Sequence, residues 1–195
     1  MKILLAVPTA TPYVRIDCIQ SLYSLRVPIG IELKREFITG YSCCQSRNKA
    51  SCKALDENYD AILFVDSDQI LPQETLEKLL AINAPFAASW SMMATADQRT
   101  NISIYNPEKK FYDFMLQKDV PANKLIKVDA IGFAAVLIKT DVLKQMKYPY
   151  FKYVEYENRT TLSEDLYFCD IMRKSNIDMI CDTSLRVWHS KSINI

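Results

Sequence analysis

The chain reads as short, wholly apolar blocks set between amphipathic ones. Residues 2–7 are almost entirely apolar, which predicts a strand covered on both faces and ended by Pro8 and Thr9. Over residues 11–25, Val14, Cys18, Leu22 and Leu25 recur at helical spacing with Ile16 and Ile19 alongside, and Pro28 stops that helix. Residues 29–39 alternate Ile31, Leu33, Arg35 and Phe37 against Glu32, Lys34 and Glu36, as a strand does, and Gly40 then opens a polar loop. A helix over 45–58 places Ala50, Ala54 and Leu55 on one face. The run Ala61-Ile-Leu-Phe-Val65 lies between a polar stretch and Leu71-Pro72, and is the best candidate for a central, fully buried strand. Pro72, early Glu74 and Glu77, and apolar Leu76, Leu79 and Leu80 signal the next helix, with a strand over 84–90 behind it.

The second half is less regular. Residues 92–107 show no period and read as a loop, either a mobile active-site segment or a surface excursion. Short strands are expected over 111–115 and 125–128. The apolar run 128–138 contains Gly132, which marks a bend or a close backbone approach. Thr140-Asp141 is expected to cap a short helix. The aromatic stretch 147–159 suits either half-buried packing or a platform for sugar or base rings. Thr161-Leu-Ser-Glu164 fits a capping box, Glu164 reaching back to the cap, ahead of a helix carrying Leu166, Cys169, Met172 and Ile177. Strands over 178–180 and 185–189 close the chain. Strands alternating with helices make the class α/β.

Composition narrows the choices. A length of 195 residues suits one domain, and 49% hydrophobic residues supply its core. A net charge of +1 gives no general reason to expect a nucleic-acid partner. Six cysteines form no CxxC pair and His189 is the one histidine, which argues against a zinc finger. A core-rich chain of this size needs no disulfide staples, so a reducing cytoplasm is the expected location. The apolar start resembles a signal peptide only until Pro8 interrupts it, and no run approaches the roughly 20 apolar residues of a membrane span.

The candidate chemistry gathers at Asp66-Ser67-Asp68, directly after the central strand. Ligands on parallel sheets bind at the carboxyl ends of strands. On extended backbone Asp66 and Asp68 point the same way and repel, and a divalent cation with a taste for hard oxygen ligands, Mg2+ or Mn2+, relieves the repulsion. The alternative is a polar turn in which one aspartate caps the next helix. Arg47, Asn48 and Lys49 fall in the first turn of their helix, against its dipole, which suits either a bound anion or a pair of solvated charges.

In this order the motifs resemble the nucleotide-sugar glycosyltransferases of the GT-A fold, most closely the family-2-like group, over nearly the whole chain. Pro8-Thr9 resembles the end of the opening strand at the nucleotide pocket, and Ser46-Arg-Asn-Lys-Ala50 the helix start before the DxD strand. Asp66-Ser67-Asp68 matches DxD, and the 128–139 strand with Gly132 resembles the acceptor-side strand. Ser163-Glu164-Asp165 resembles the "ED" motif, and Arg186-Val-Trp-His189 the late strand whose histidine completes some metal sites. The resemblance implies a Rossmann-like, mixed but mostly parallel sheet flanked by helices. It implies one GT-A catalytic domain over 1–195, with a nucleotide-sugar half at about 1–90 and an acceptor-side half at about 91–195. It further implies a metal-dependent transfer of sugar from a nucleoside-diphosphate donor, UDP first, to a hydroxyl acceptor in glycan biosynthesis, with inversion. Pro8, Thr9, Arg47, Asn48, Asp66 and Ser67 would hold the donor. Asp66, Asp68 and His189 would hold Mn2+ or Mg2+, Asp165 would be the base beside Glu164, and Gly132 and Trp90 would lie on the acceptor side. The rivals are a haloacid-dehalogenase-type phosphohydrolase with Asp66 as nucleophile, and a non-catalytic nucleotide-sugar-binding module.

Overall fold

A computed structural model describes residues 1–93, 95–157 and 160–190. Strand β1 (Lys2–Thr9) leads to α1 (Ile16–Tyr23), β2 (Glu32–Thr39) and α2 (Cys43–Asp56). Strand β3 (Ala61–Val65) turns at once into the two-residue β4 (Gln69–Ile70), followed by α3 (Thr75–Ile82) and β5 (Phe86–Ser91). Then come β6 (Arg99–Asn106), β7 (Phe111–Leu116), β8 (Leu125–Val128), β9 (Ala130–Ile131), β10 (Ala135–Lys139) and α4 (Thr140–Lys144). The last elements are β11 (Val154–Glu155), β12 (Thr161–Leu162), α5 (Glu164–Lys174) and β13 (Met179–His189).

The main sheet has the order β2-β1-β3-β10-β5-β13-β4, with β8 also on β13. Strands β1, β2, β3, β5 and β13 run one way, β10 runs against them between β3 and β5, and β4 and β8 run against β13. The sheet is thus mixed and mostly parallel, as the blocks of apolar residues imply. Every residue of β3 is buried because both faces are covered. Ile3, Leu5, Val7, Leu63 and Val65 pack with Leu22 of α1 and Leu76 and Leu79 of α3. Leu4, Ala6, Ile62 and Phe64 pack on the other face with Ala50 and Ala54 of α2 and Phe168 and Met172 of α5. A second, three-stranded sheet, β7-β6-β9, lies beside this core, and β11 pairs with β12.

Several local expectations are corrected. Helix α1 starts five residues late, because the Thr9 hydroxyl donates to the Thr11 carbonyl at 2.7 Å and that of Thr11 to the Tyr13 carbonyl at 3.1 Å. Such bonds compete with a helical backbone. Helix α2 starts early, at Cys43, because Ser42 and Gln45 form a reciprocal capping box. The capping box expected at Thr161 does not form: Thr161 belongs to β12, Ser163 is the residue before α5, and Glu164 turns elsewhere. Thr140 does not cap α4, since its hydroxyl donates to the carbonyls of Tyr59 and Asp60. The expected loop over 92–107 contains β6, whose Thr100, Asn101 and Ser103 are polar yet buried. The two short terminal strands are one, β13, with an irregularity between Cys181 and Arg186. In the aromatic stretch Phe151 is core, packed on Phe64, Phe133 and Phe168, while Tyr148, Tyr153 and Tyr156 are exposed.

Candidate functional site

The carboxyl edge of the main sheet gathers the ends of β1, β3, β5 and β13, the start of β10 and the N-terminal turns of α2 and α5. Asp66 leaves β3 there, and the Gln69 amide donates to its carbonyl at 3.1 Å, closing a tight turn over Ser67 and Asp68. The extended backbone assumed for Asp66 and Asp68 is therefore absent. Strand β4 then pairs with the end of β13, Gln69 against His189, and the Ser190 amide donates to the Asp68 carbonyl at 2.7 Å. That clip brings the one histidine beside the acidic turn.

Asp66 meets Arg47. The Arg47 side chain is 2% exposed, and it donates to Asp66 Oδ1 at 2.7 Å and to Glu164 Oε1 at 2.6 Å. Its guanidinium also lies 4.8 Å from the Phe133 ring centre, and its Nε is buried without a hydrogen-bond partner. Burial works to discharge this arginine, but Asp66, Asp165 and Glu164 outweigh it and hold the charge more firmly than usual. Burial pushes the Asp66 carboxyl up to about 6, Arg47 pulls it down, and Asp165 and Asp68 add to the rise. Burial also pushes the nearby Cys43 thiol up to about 12, so it is a poor nucleophile.

Asp165 is held differently from Glu164. Its Oδ1 accepts from the Ser163 hydroxyl and from the Leu166 amide. Its Oδ2 faces Gly132: a Cβ there would lie 3.5 Å from that oxygen and 3.2 Å from Asn101 Cβ. Gly132 thus leaves the carboxylate approachable. Asn101 locks this wall, accepting from the Ser91 amide at 2.8 Å and donating to the Gly132 carbonyl at 2.8 Å. These groups enclose a cavity of about 290 Å³ whose wall includes Asp66, Gly132, Asp165 and His189, together with Gln69, Ser91, Asn101 and Phe133.

The remaining expected site residues lie elsewhere. Asn48 is not free for a donor: its Nδ2 donates to the Phe151 carbonyl at 2.7 Å and its Oδ1 accepts from the Tyr150 and Phe151 amides. Arg47, expected at a diphosphate, is committed to two carboxylates. Trp90 is buried, with Nε1 donating to the Thr183 carbonyl, and its neighbour Ser91 lines the cavity instead. Pro8 and Thr9 are buried at the end of β1, Ser67 sits in the turn, and Asp68 stands outside the cavity wall. Asn101 and Ser91 carried no signal in the sequence, since a polar residue on a buried strand looks like loop.

Among the described residues no three Asp, Glu, His or Cys side chains converge as a ready-made metal cage. The donor chemistry nonetheless suits a divalent cation. Arg47 takes one Asp66 oxygen and Gln69 Nε2 donates to one Asp68 oxygen at 3.1 Å, so each carboxylate keeps a second oxygen, and His189 adds an imidazole.

No protein-family model and no curated protein sequence matches the chain. Solved structures do. The fold aligns with A197 from STIV over 98% of this chain and 87% of that one, at 19% identity and a TM-score of 0.69. It aligns with GalNAc-T7 crystallised with UDP, GalNAc and Mn2+ over 99% of this chain and 44% of that one, at 8% identity and a TM-score of 0.65. S. aureus TarS in complex with UDP-GlcNAc is covered over 60% of its chain by all of this one, at 14% identity and a TM-score of 0.56. The chain has the GT-A fold. Identities this low establish the fold alone, and the chain spans less than two thirds of the two neighbours that hold nucleotide.

Proposed function

We propose that the chain is a glycosyltransferase that moves a sugar from a nucleoside-diphosphate donor to an acceptor hydroxyl. The observation that carries this reading is one cavity that joins Asp66, His189 and Asp165 at the carboxyl edge of a GT-A sheet. UDP is the carrier of choice, since fold neighbours hold UDP and UDP-GlcNAc. Residues up to about 90 form the nucleotide half and those from about 91 the acceptor half. Asp66 and His189 on the cavity wall, with Asp68 from the adjoining turn, would hold Mn2+ or Mg2+, and donor oxygens would have to complete the set. A divalent cation there, when bound, offsets the charge that develops on a departing diphosphate.

The chain's own residues do the rest. Asp165 takes the proton of the acceptor hydroxyl through Oδ2, because Oδ1 is tied to Ser163 and Leu166. Removal of that proton by a base on the acceptor side suits direct displacement with inversion. Arg47 positions rather than binds: it fixes Asp66 on the donor side and Glu164 next to the base. Gly132 and Asn101 keep the approach to Asp165 open. The phosphohydrolase reading is weakened because a nucleophilic Asp66 would have to attack while ion-paired to a buried arginine.

A thermal-shift panel of UDP, GDP, CDP and dTDP, with and without Mn2+, tests the reading on wild type and Asp68→Ala. A ligand that binds only the native state raises the melting temperature. The expected result is a shift with UDP that requires Mn2+ and disappears in Asp68→Ala. No shift with any nucleotide in a folded sample would overturn it.

A further inference from the structure

We propose that Arg186 and Trp188 form a ledge that binds an anionic group on the acceptor, a carboxylate or phosphate carried by a saccharide; assigning the ledge to an acceptor rests on the glycosyltransferase reading above. The two residues are two apart on β13 and so share one face of the strand. Arg186 stands in register with Trp90 of β5, and its guanidinium lies 5.2 Å from the Trp90 ring centre. Trp188 is 50% exposed. The ledge is therefore a guanidinium backed by one indole, with a second, open one two residues on along the same face.

The state of Arg186 sets it apart. Arg15, Arg26, Arg47, Arg99 and Arg173 each meet a carboxylate, and Arg35, which meets none, lies over the Tyr23 ring and donates its Nε to the Leu22 carbonyl at 3.0 Å. Among the described residues Arg186 has no ion-pair partner, and its Nε is buried without a hydrogen bond. A guanidinium that the fold leaves without a counter-ion gains free energy when an anion arrives at its open side. A guanidinium pre-set on an aromatic face is also the side chain best suited to fork onto a carboxylate or phosphate. The neighbouring indole offers a flat, amphipathic surface for a sugar ring. A lone exposed tryptophan would need no explanation, but this one shares its face with the arginine.

Position separates the ledge from the donor diphosphate. Arg186 is three residues from His189, an odd spacing that puts the two side chains on opposite faces, about 10 Å apart along the strand. The ledge shares a side of the sheet with the cavity wall: Trp90 lies in the same core cluster as Phe133 and Leu166, which line the cavity, whereas Val187 lies in the other. An acceptor whose hydroxyl meets Asp165 would reach the ledge by extending along that side, over the carboxyl ends of β5 and β13.

The chain has two tryptophans, one buried and one half-exposed, so emission reports the ledge. The full chain is titrated with a glucuronate-containing disaccharide, glucose 6-phosphate and neutral maltose. In parallel, the UDP–Mn2+ thermal shift is recorded on the same samples. The expected result is saturable quenching by an acidic probe and none by maltose at the same concentration. Arg186→Gln should weaken that binding about tenfold or more, and Arg186→Lys less, while both variants keep the nucleotide shift. The two acidic probes tell carboxylate from phosphate. Equal response to maltose, no response to any probe, or indifference to Arg186→Gln would overturn the ledge while leaving the donor site standing. Acidic-probe binding without a nucleotide shift in wild type would overturn the donor reading, and with it the assignment of the ledge to an acceptor.

Discussion

Two arginines near the carboxyl edge of the sheet are treated in opposite ways. Arg47 is enclosed and ion-paired to Asp66 and Glu164. Arg186 is half-buried, stacked on Trp90, and meets no carboxylate among the described residues. Each has a buried Nε without a partner, so burial alone does not distinguish them. The difference lies in what the fold supplies around the charge. A cation that must hold its neighbours in place is given its counter-ions by the chain. One that is to take up an anion from outside is left without them. Charge at a cleft therefore says little until its partners are counted.

The largest expected effect comes from breaking the ion-paired side. Arg47→Met strands the buried Glu164 carboxylate and the partly exposed Asp66 one, which should cost about 3 kcal/mol of stability, the low end for a broken buried pair. Chemical denaturation measures it. Removing the carboxylates as well, in Arg47→Met with Asp66→Asn and Glu164→Gln, should restore much of the loss, because the penalty lies in unpaired charge more than in the pair itself. A triple variant as unstable as the single one would show that Arg47 matters through packing on Phe133 and not through charge.

The second effect is in pH. The folded-state Asp66 carboxyl sits at about 6 against an ordinary 3.8, chiefly through burial. A raised carboxyl means that the folded chain holds its proton more tightly than the unfolded one. This contribution is therefore present below about pH 4 and lost as pH rises through about 6. With a third of the Asp66 side chain exposed, roughly 1–2 kcal/mol is the expected span after solvent screening. Urea titrations across that window in metal-free buffer should show the decline in wild type and not in Asp66→Asn.

The strands β1 and β3 were plain in the sequence because both faces are covered, and unbroken apolar runs carry that signature. The acidic turn was plain because it follows such a run. Strand β6 was not, because Thr100, Asn101 and Ser103 are buried through hydrogen bonds and not through hydrophobicity. The early start of α2 was written in Ser42 and Gln45, a capping pair three residues apart that the cysteines between them obscured. The fate of Arg47 was not written locally at all. Its partners lie 19 and 117 residues away, and only the closed sheet brings them together.

A smaller effect is expected at the wall of the cavity. Gly132→Ala sets a methyl 3.2 Å from Asn101 Cβ and 3.5 Å from Asp165 Oδ2. The crowding should cost about 1 kcal/mol in stability. Transfer should fall more than nucleotide affinity, as steady-state rates beside a UDP titration will show. The smallest effect belongs to the open side: Arg186→Gln should change stability by no more than about 0.5 kcal/mol. A larger loss would mean that Arg186 is structural after all.

On the proposed reading, Asp165 carries chemistry at a nucleotide-sugar site built around Asp66, Asp68 and His189. The most direct test is UDP release from UDP-GlcNAc and UDP-GalNAc in Mn2+, on wild type, Asp68→Ala and Asp165→Asn. Turnover is expected in wild type and its loss in both variants, with Asp165→Asn still giving the UDP thermal shift. Undiminished UDP release by Asp165→Asn, or phosphate release from a simple phosphomonoester in place of UDP release, would contradict it.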